Sequence, residues 1–590
     1  MLKKDKRVFS RARRIGKRRY LRPLKLGKHS KEFYVFDTET GIKHKNGKIK
    51  YMLSARPEHF IFGVIYGPKG FVKVIHSVNE FKKEFKKKRY KNKIVYAHNA
   101  EYDLSCVYGN IYELDPGAIF NGKFISCGNG NCRFADSFNL LPTSVKKLGE
   151  LLGLPKLELG HNYESDAKKI IEDVKYCIRD CKIVYDSLAK IFEPLEPSFT
   201  IGSLSLKLFR AQYLTNSIKV DPGADQFFEC LYGGRTEAFK LGSCDANVYD
   251  INSAYPYVMK EKHFVDPGSL RTIHNPNEGT AQEIIKQCEG FINATVYVDP
   301  EEKLPALPYR TDDRLIFPCG EFAGSWTFPE IRNALKNTKT KLIKIHKIVY
   351  GKRIESPFKQ FVLDQYTKRN STDDEFLRYY YKLLMNNLYG KLIQRAREEF
   401  RFCQTQRDAW QFMRERKLKK AEIIEVNGGY FLRYDTHRIF SHTIAAWGAY
   451  VTTYVRVMLH EMMKPNLDKL VYCDTDSVFI EKNMRMDSKD LGGWKREEKK
   501  ITNIRTLKDY VYIDEAGKEK QMLKGVKKDA IQLDPEANVF RYKRMIRTRE
   551  SFRRKDMLPP GTFVEQLKLL TGDYSKRQVF KDGTTKPFIL

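Results

Sequence analysis

The sequence predicts a multidomain chain of α/β and α+β architecture, on three observations. Its 590 residues, 42% hydrophobic and 13% aromatic, supply roughly three to five domains' worth of core. Strand and helix signals alternate over residues 33–195, whereas 200–530 mixes short strands, long helices and loops. Acidic residues recur in two separate constellations, each built on strand ends and helix faces.

Charge narrows the class of partner. Lys and Arg number 107 against 73 Asp and Glu, a formal charge of +34 and a pI near 9.5. Such an excess points to a polyanion, most commonly nucleic acid. No run of about eighteen apolar residues is present, and the N-terminus lacks a secretory apolar core, so neither a membrane nor a secretory route is expected. The 11 cysteines are scattered. Cys127–Cys132 has no second pair to complete a zinc site, and Cys177 and Cys181 sit four apart in a helical pattern, so all are read as reduced thiols.

Residues 1–32 read as a basic arm, with fourteen Lys/Arg against Asp5 over the first 31 positions, unstructured until it meets phosphate. The strand FYVFDTET follows. IFGVIYG and KIVYAHN read as further strands, and Lys146–Leu154 and Ala167–Ile191 as helices. Asp37 and Glu39 stand at i and i+2 on a strand and so share a face. The KIVYAHN strand ends at Asn99 and opens a helix carrying Tyr102 and Asp103. Tyr176 and Asp180 stand at i and i+4 on a helix. Asp37, Glu39, Asp103 and Asp180 can bracket two Mg²⁺ ions, with Tyr176 orienting an attacking water. That is the constellation of two-metal phosphodiester hydrolysis.

The second constellation is spread more widely. In Tyr249–Tyr257, strand residues precede Asp250 and Pro256 is expected to break the strand. In Lys382–Gly390 a helix would align Arg378, Lys382 and Asn386, with Tyr389 one turn on, a stripe suited to a triphosphate. In Tyr472–Phe479, Asp474 and Asp476 flank Thr475 at a hairpin tip. Two carboxylates that close repel unless a cation sits between them, and hard oxygen ligands suit Mg²⁺.

The order DxE, NxxxD, YxxxD resembles the 3′–5′ exonuclease of the DEDD superfamily in its Tyr-bearing form. DINSAYP, KLLMNNLYG and YCDTDS resemble motifs A, B and C of family B DNA polymerases, with Asn387 where Ser is usual. The short length and Leu231–Arg235, which is similar to a YxGG linker, narrow the resemblance to the protein-primed branch of small tailed phages, linear plasmids and organelles. The resemblance implies an RNase H-like exonuclease domain at 33–195 and a right-hand polymerase. Palm and fingers would span 196–530, with fingers at about 361–395, and the thumb 531–590. A terminal-protein region is expected at about 325–360 and a strand-displacement insertion at about 396–437, where Asp408–Lys417 looks helical.

The resemblance also implies residue roles. Asp250, Asp474, Asp476 and the Ile251 carbonyl would meet metal. Ser253, Tyr255, Arg378, Lys382, Asn386 and Tyr389 would hold the dNTP, with Tyr255 excluding a 2′-hydroxyl. Asn99, Tyr102, Ser144, Lys156, Tyr232, Gly233, Gly234, Arg235, Gly390, Thr475, Lys508 and Tyr510 would contact DNA or primer. Lys156 stands at the place of a catalytic-site lysine, and Lys508 and Tyr510 fit a KxY motif. Mg²⁺ is expected at two ions per active site, with Mn²⁺ as a substitute. Template and primer DNA, dNTPs and a priming protein are the implied partners, for a monomer or a heterodimer with that protein. The expected location is the host cytoplasm, or the mitochondrion for an organellar plasmid. The competing readings are a primer-independent family B polymerase, a DNA-processing exonuclease whose second half only binds DNA, and a basic packaging protein.

Overall fold

The computed structural model describes every residue except 1–17, 26–31, 45–47, 110, 112–113, 121–122, 158–163, 166–169, 397, 419–420, 427–428, 436–438, 528, 535–537, 548–549, 551–557 and 559–560.

The N-terminal unit is built on a nine-stranded sheet. At its centre, Phe33–Lys43 runs parallel to Ile94–Ala97 and antiparallel to Phe60–Gly67, and Ile94–Ala97 runs parallel to Arg133–Asp136. Alternation along the central strand divides its side chains between two cores. Phe33 and Val35 join Cys177, Val184 and Leu188 of the helix Ile170–Phe192. Tyr34 and Phe36 join Phe81, Phe85 and Leu104 on the other side. Each buried aliphatic side chain contributes about 1.5–3 kcal/mol, and the same alternation turns Asp37 and Glu39 toward the long helix.

A seven-stranded antiparallel sheet forms the centre of the molecule. Its order is Thr236–Ala238, Leu470–Asp474, Ser477–Ile480, Gly242–Ile251, Trp494–Thr506, Asp509–Ile513, Glu519–Met522. The helix Ala445–Met463 is apolar on nearly every side and is buried accordingly, with Leu459 and Met463 packed under the sheet. The helices Lys359–Ser371 and Glu375–Leu392 follow one another where fingers are expected. Among the described residues, no helix is long and apolar enough to cross a membrane.

Several expectations change. The segment at about 325–360 is not a separate insertion. It shares a four-stranded sheet, Arg271–His274, Thr340–Gly351, Glu289–Val298 and Gly320–Thr327, with Ala281, Ile285, Ile331 and Ala334 of two helices in one core. The unit therefore begins near residue 271, because the long strand Thr340–Gly351 needs partners from earlier in the chain. Residues 396–437 hold both the expected helix, Gln406–Glu415 behind a Thr405–Asp408 capping box, and a β-hairpin, Ala421–Val426 with Gly429–Asp435.

The expected 531–590 unit divides. Ile531–Asp534, Val539–Met545 and Phe563–Leu569 form their own sheet, and the last residues return to the centre. Tyr574 Oη donates to Ala238 O at 3.0 Å, and the Leu590 and Cys319 backbones exchange a bond of 3.0 Å. The basic arm also divides. Residues 1–17 and 26–31 lie outside the described residues, but Arg19–Leu21 pairs antiparallel with Ile218–Val220. Leu21 is buried there, and Arg19 binds Asp225 through two nitrogens at 2.8 and 2.6 Å. This part of the arm is a docked strand, because it carries an apolar anchor and a carboxylate partner.

Candidate active sites

In the N-terminal unit, Asp37 and Glu39 line a pocket with His98, Lys156, Tyr176 and Asp180. Thr38, on the opposite face of the strand, donates from its backbone N–H and hydroxyl to Asp103 Oδ1 at 3.2 and 2.8 Å. Asp103 is thus held just behind Asp37. Asn99 adopts a left-handed φ of 82° and donates its N–H to Asp136 Oδ1 at 2.9 Å, which turns the strand into the helix carrying Asp103. Lys156 Nζ ion-pairs with Asp180 Oδ2 and sits 4.6 Å from the Tyr176 ring centre. Ser144 caps the helix Val145–Leu151, accepting from Lys147 N at 3.2 Å. Tyr102 Oη binds Thr40 Oγ1 at 2.8 Å inside the fold, and its ring meets Phe563 edge-on.

The electrostatics of this pocket are those of crowded carboxylates. Burial first, then Asp180, pushes Asp37 up to about 6. Burial followed by Asp37 raises both Glu39 and Asp103 well above the usual carboxylate range. Burial also raises Asp180, against the pull of Lys156. Asp180 Oδ1 is buried with no hydrogen-bond partner. Repelling acids with an orphaned oxygen fit divalent cations, whose charge would remove the repulsion. His98 went unassigned in the sequence reading. Its Nε2 meets Thr143 O at 2.7 Å and its Nδ1 meets Ser137 Oγ at 2.9 Å, which positions the loop before Ser144.

In the central sheet, register brings the second set together. Asp250 lies opposite Ser477, and Ser477 lies opposite Asp474. Directly opposed residues of antiparallel strands share a face. The two aspartates therefore stand on one face, two strand spacings or about 10 Å apart at Cα. Ile251 N donates to Asp476 O at 2.9 Å, closing the DTD turn over the DIN segment. Asp474 Oδ1 receives Thr236 Oγ1 at 3.3 Å, Thr475 Oγ1 at 3.1 Å and Lys508 Nζ at 3.1 Å. Thr475 has a left-handed φ of 62°, and its N–H binds Arg235 O at 2.7 Å. A Cβ on Gly234 would lie 2.7 Å from Thr475 Cγ2, so only glycine lets the linker approach the turn.

Burial first, then Asp476 and Glu497, pushes Asp250 up to about 7. Burial and Asp474 raise Asp476. Glu497, opposite Val248 on the neighbouring strand, is a fourth acid that no motif announced. An acid whose pKa rises on folding favours the folded state only while protonated. In metal-free protein this contribution is present below about 4 and lost as pH rises through about 7. Asp250→Asn should therefore raise the melting temperature of metal-free protein at pH 8 by about 2 °C, and the gain should vanish at pH 4. Equal melting temperatures at pH 8 would contradict the burial assigned to Asp250.

The helix Glu375–Leu392 places Arg378 and Lys382 on an exposed stripe with half-buried Asn386 and exposed Gly390. Arg378 Nε donates to Thr372 O at 2.7 Å. Asn387 folds back to Leu383 O at 2.8 Å. Tyr389 stacks on Tyr255, with centroids 4.8 Å apart and planes 29° apart. Ser253 has a left-handed φ of 53° and precedes the helix Ala254–Glu261. Pro256 lies in that helix's first turn and breaks no strand, since the strand already ends at Ile251.

Three expected DNA contacts are corrected. Arg235 is 1% exposed, its guanidinium bound to Glu237 and to Pro305 O. Tyr232 is buried, and its carbonyl accepts from Arg456 Nη1 at 3.0 Å. Tyr510 is buried against Tyr472 and Phe479. In each case the flat or forked side chain fills the interior, while Gly233 is exposed and Gly234 lies against Thr475. Arg456, itself ion-paired with Glu330 at 2.7 Å, anchors the linker from below. A lone arginine in an apolar helix carried no motif signal.

Comparison with known proteins agrees with this arrangement. Residues 155–477 match the family described as DNA polymerase type B, organellar and viral. The chain is 24% identical over 416 residues to the DNA-directed DNA polymerase of Enterobacteria phage PRD1, covering 68% of this chain and 70% of the relative. It is 23% identical over 416 residues to the DNA polymerase of Bacillus phage phi29, covering 64% and 67%. A probable DNA polymerase of Neurospora intermedia is 26% identical over 368 residues, covering 57% of this chain but only 36% of that relative. Phi29 DNA polymerase complexed with primer-template DNA and incoming nucleotide superposes with a TM-score of 0.66 at 16% identity, covering 92% of this chain and 100% of that chain. The fold is thus an exonuclease-type unit joined to palm, fingers and thumb, and the chain belongs to the organellar and viral type B DNA polymerases.

Proposed function

We propose that the chain is a template-directed DNA polymerase with 3′–5′ proofreading that starts synthesis on the hydroxyl of a terminal protein. The observation that carries polymerisation is the placement of Asp250 and Asp474 on one sheet face, bracketing Ser477 beside the DTD turn. Bound Mg²⁺ would polarise the α-phosphate and stabilise the primer 3′-oxygen and the pyrophosphate leaving group. Asp250, Asp474 and Asp476 would hold it. Lys382 and Arg378 would grip the triphosphate, and the stacked Tyr255 and Tyr389 rings would support base and sugar. Lys508 holds Asp474 Oδ1 in place. In the N-terminal pocket Asp37, Glu39, Asp103 and Asp180 would hold the ions, while Tyr176 and Lys156 orient the water and the scissile phosphate.

Protein priming draws support from likeness to the PRD1 and phi29 enzymes. It is tested by supplying unprimed linear template with fractions from the source. Label should become covalently attached to a protein, and label appearing only in free DNA would favour a primer-independent enzyme. Sugar selection should rest on Tyr255. The family resemblance implies that this ring, which packs against Tyr389, would lie under the incoming sugar and leave no room for a 2′-hydroxyl. A steric filter relaxes when the ring shrinks. Tyr255→Val is expected to raise ribonucleotide use relative to deoxyribonucleotide use by about 10- to 100-fold. An unchanged ratio in single-nucleotide kinetics would remove Tyr255 from this role.

A further inference from the structure

One side chain beside the N-terminal pocket, grouped with its carboxylates, does not belong to an all-oxygen Mg²⁺ site. Cys177 stands on the helix Ile170–Phe192 between Tyr176 and Asp180, is fully buried, and points its Sγ at Asp37 Oδ2 from 3.6 Å. Ligand atoms of Asp37, Glu39 and Cys177 all lie within 4.8 Å of one another. We propose that Cys177 makes this pocket a mixed carboxylate–thiolate site that takes a thiophilic divalent cation of the Zn²⁺/Cd²⁺ class.

The argument is one of ligand chemistry. Mg²⁺ demands octahedral oxygen and gains nothing from sulfur, whereas Zn²⁺ and Cd²⁺ bind thiolate strongly and accept four ligands. Zinc bonds of about 2.3 Å to sulfur and 2.0–2.2 Å to oxygen can be met from these three side chains with small rotations. The buried Asp180 Oδ1, which has no hydrogen-bond partner, offers a fourth ligand. On binding, the sulfur–metal bond replaces the S–H bond, and the proton leaves to solvent. The ordinary alternative is a buried cysteine acting as a small apolar residue. Cys181, one turn on, shows that role, with its Sγ on Val64 O at 3.6 Å.

The consequence for activity rests on the nuclease reading above. A thiophilic ion held by Cys177 would displace the Mg²⁺ needed for digestion and leave the Asp250–Asp474 site working. The binding claim itself is tested directly, by titrating the full chain with Cd²⁺ or Co²⁺ and recording the sulfur-to-metal charge-transfer absorption. Wild-type protein and Cys181→Ser should show a one-equivalent band. Cys177→Ser should lose it, with at least about tenfold weaker binding. Glu39→Gln, which leaves both thiols in place, should lose it too. A band that persists in Cys177→Ser overturns the proposal, and so does one that persists in Glu39→Gln, because the thiol would then bind without the carboxylates. In parallel, one equivalent of Cd²⁺ should stop digestion of a single-stranded oligonucleotide by wild type but not by Cys177→Ser. If Mg²⁺ supports no digestion while the band follows Cys177 and Glu39, the metal site stands and the nuclease reading fails.

Discussion

Asp250→Ala or Asp474→Ala should remove nucleotide addition on a primed template by at least about 10³-fold, roughly 4 kcal/mol of barrier, while digestion of single-stranded DNA continues. The two aspartates meet only because the register of the central sheet sets each opposite Ser477. Removing either leaves the developing charge on the α-phosphate without its counter-charge. Asp250→Ala should also relieve repulsion in a metal-free site, so that variant should melt no lower than wild type and its loss cannot be assigned to unfolding. Asp474→Ala also removes the acceptor of Thr236, Thr475 and Lys508, so Asp250→Ala is the variant that separates catalysis from folding. Primer extension within a few-fold of wild type would sink the assignment of this face as the polymerisation site.

The converse holds for the N-terminal pocket. Asp37→Ala combined with Glu39→Ala should lower 3′–5′ digestion by at least about 10³-fold and leave extension unchanged. Burial and Asp180 raise Asp37, and burial, Asp37 and Asp180 raise Glu39, which is the field a cation would relieve. Tyr176→Phe should cost less, about tenfold, because it removes only an orienting hydroxyl. Digestion that survives the double change would mean that the pocket's acids serve the fold alone. Extension lost along with digestion would mean that the two sites are not independent.

Some of this was legible because local geometry has a fixed period. Alternation along Phe33–Lys43 placed Asp37 and Glu39 together whatever packed against them. The helical repeat did the same for Arg378, Lys382 and Asn386, and for Tyr176 and Asp180. The turn between Asp474 and Ser477 followed from small residues between apolar strands. Motif order added the family. The misreadings came where a motif residue faces inward. Arg235, Tyr232 and Tyr510 looked like surface contacts because Arg and Tyr so often meet nucleic acid, yet their burial depends on neighbours distant in sequence, such as Pro305 for Arg235, Arg456 for Tyr232 and Tyr472 for Tyr510.

What the sequence determined by itself, then, was the chemistry available: which acids, which cations and which spacing along each element. Tertiary structure alone decided which of them share a space. Asp250 and Asp474 became one site through two strand pairings, and Asp103 was held behind Asp37 through Thr38 on the far face of another strand. Lys508 was carried to Asp474 by the turn between Trp494–Thr506 and Asp509–Ile513, 34 positions later. Cys177 turned from one of two reduced thiols on a helix into a neighbour of Asp37 because the helix that buries it packs on the face where that carboxylate emerges. Side-chain period is set within a few residues, but proximity between elements is set by how their apolar faces pair, and that depends on the whole chain.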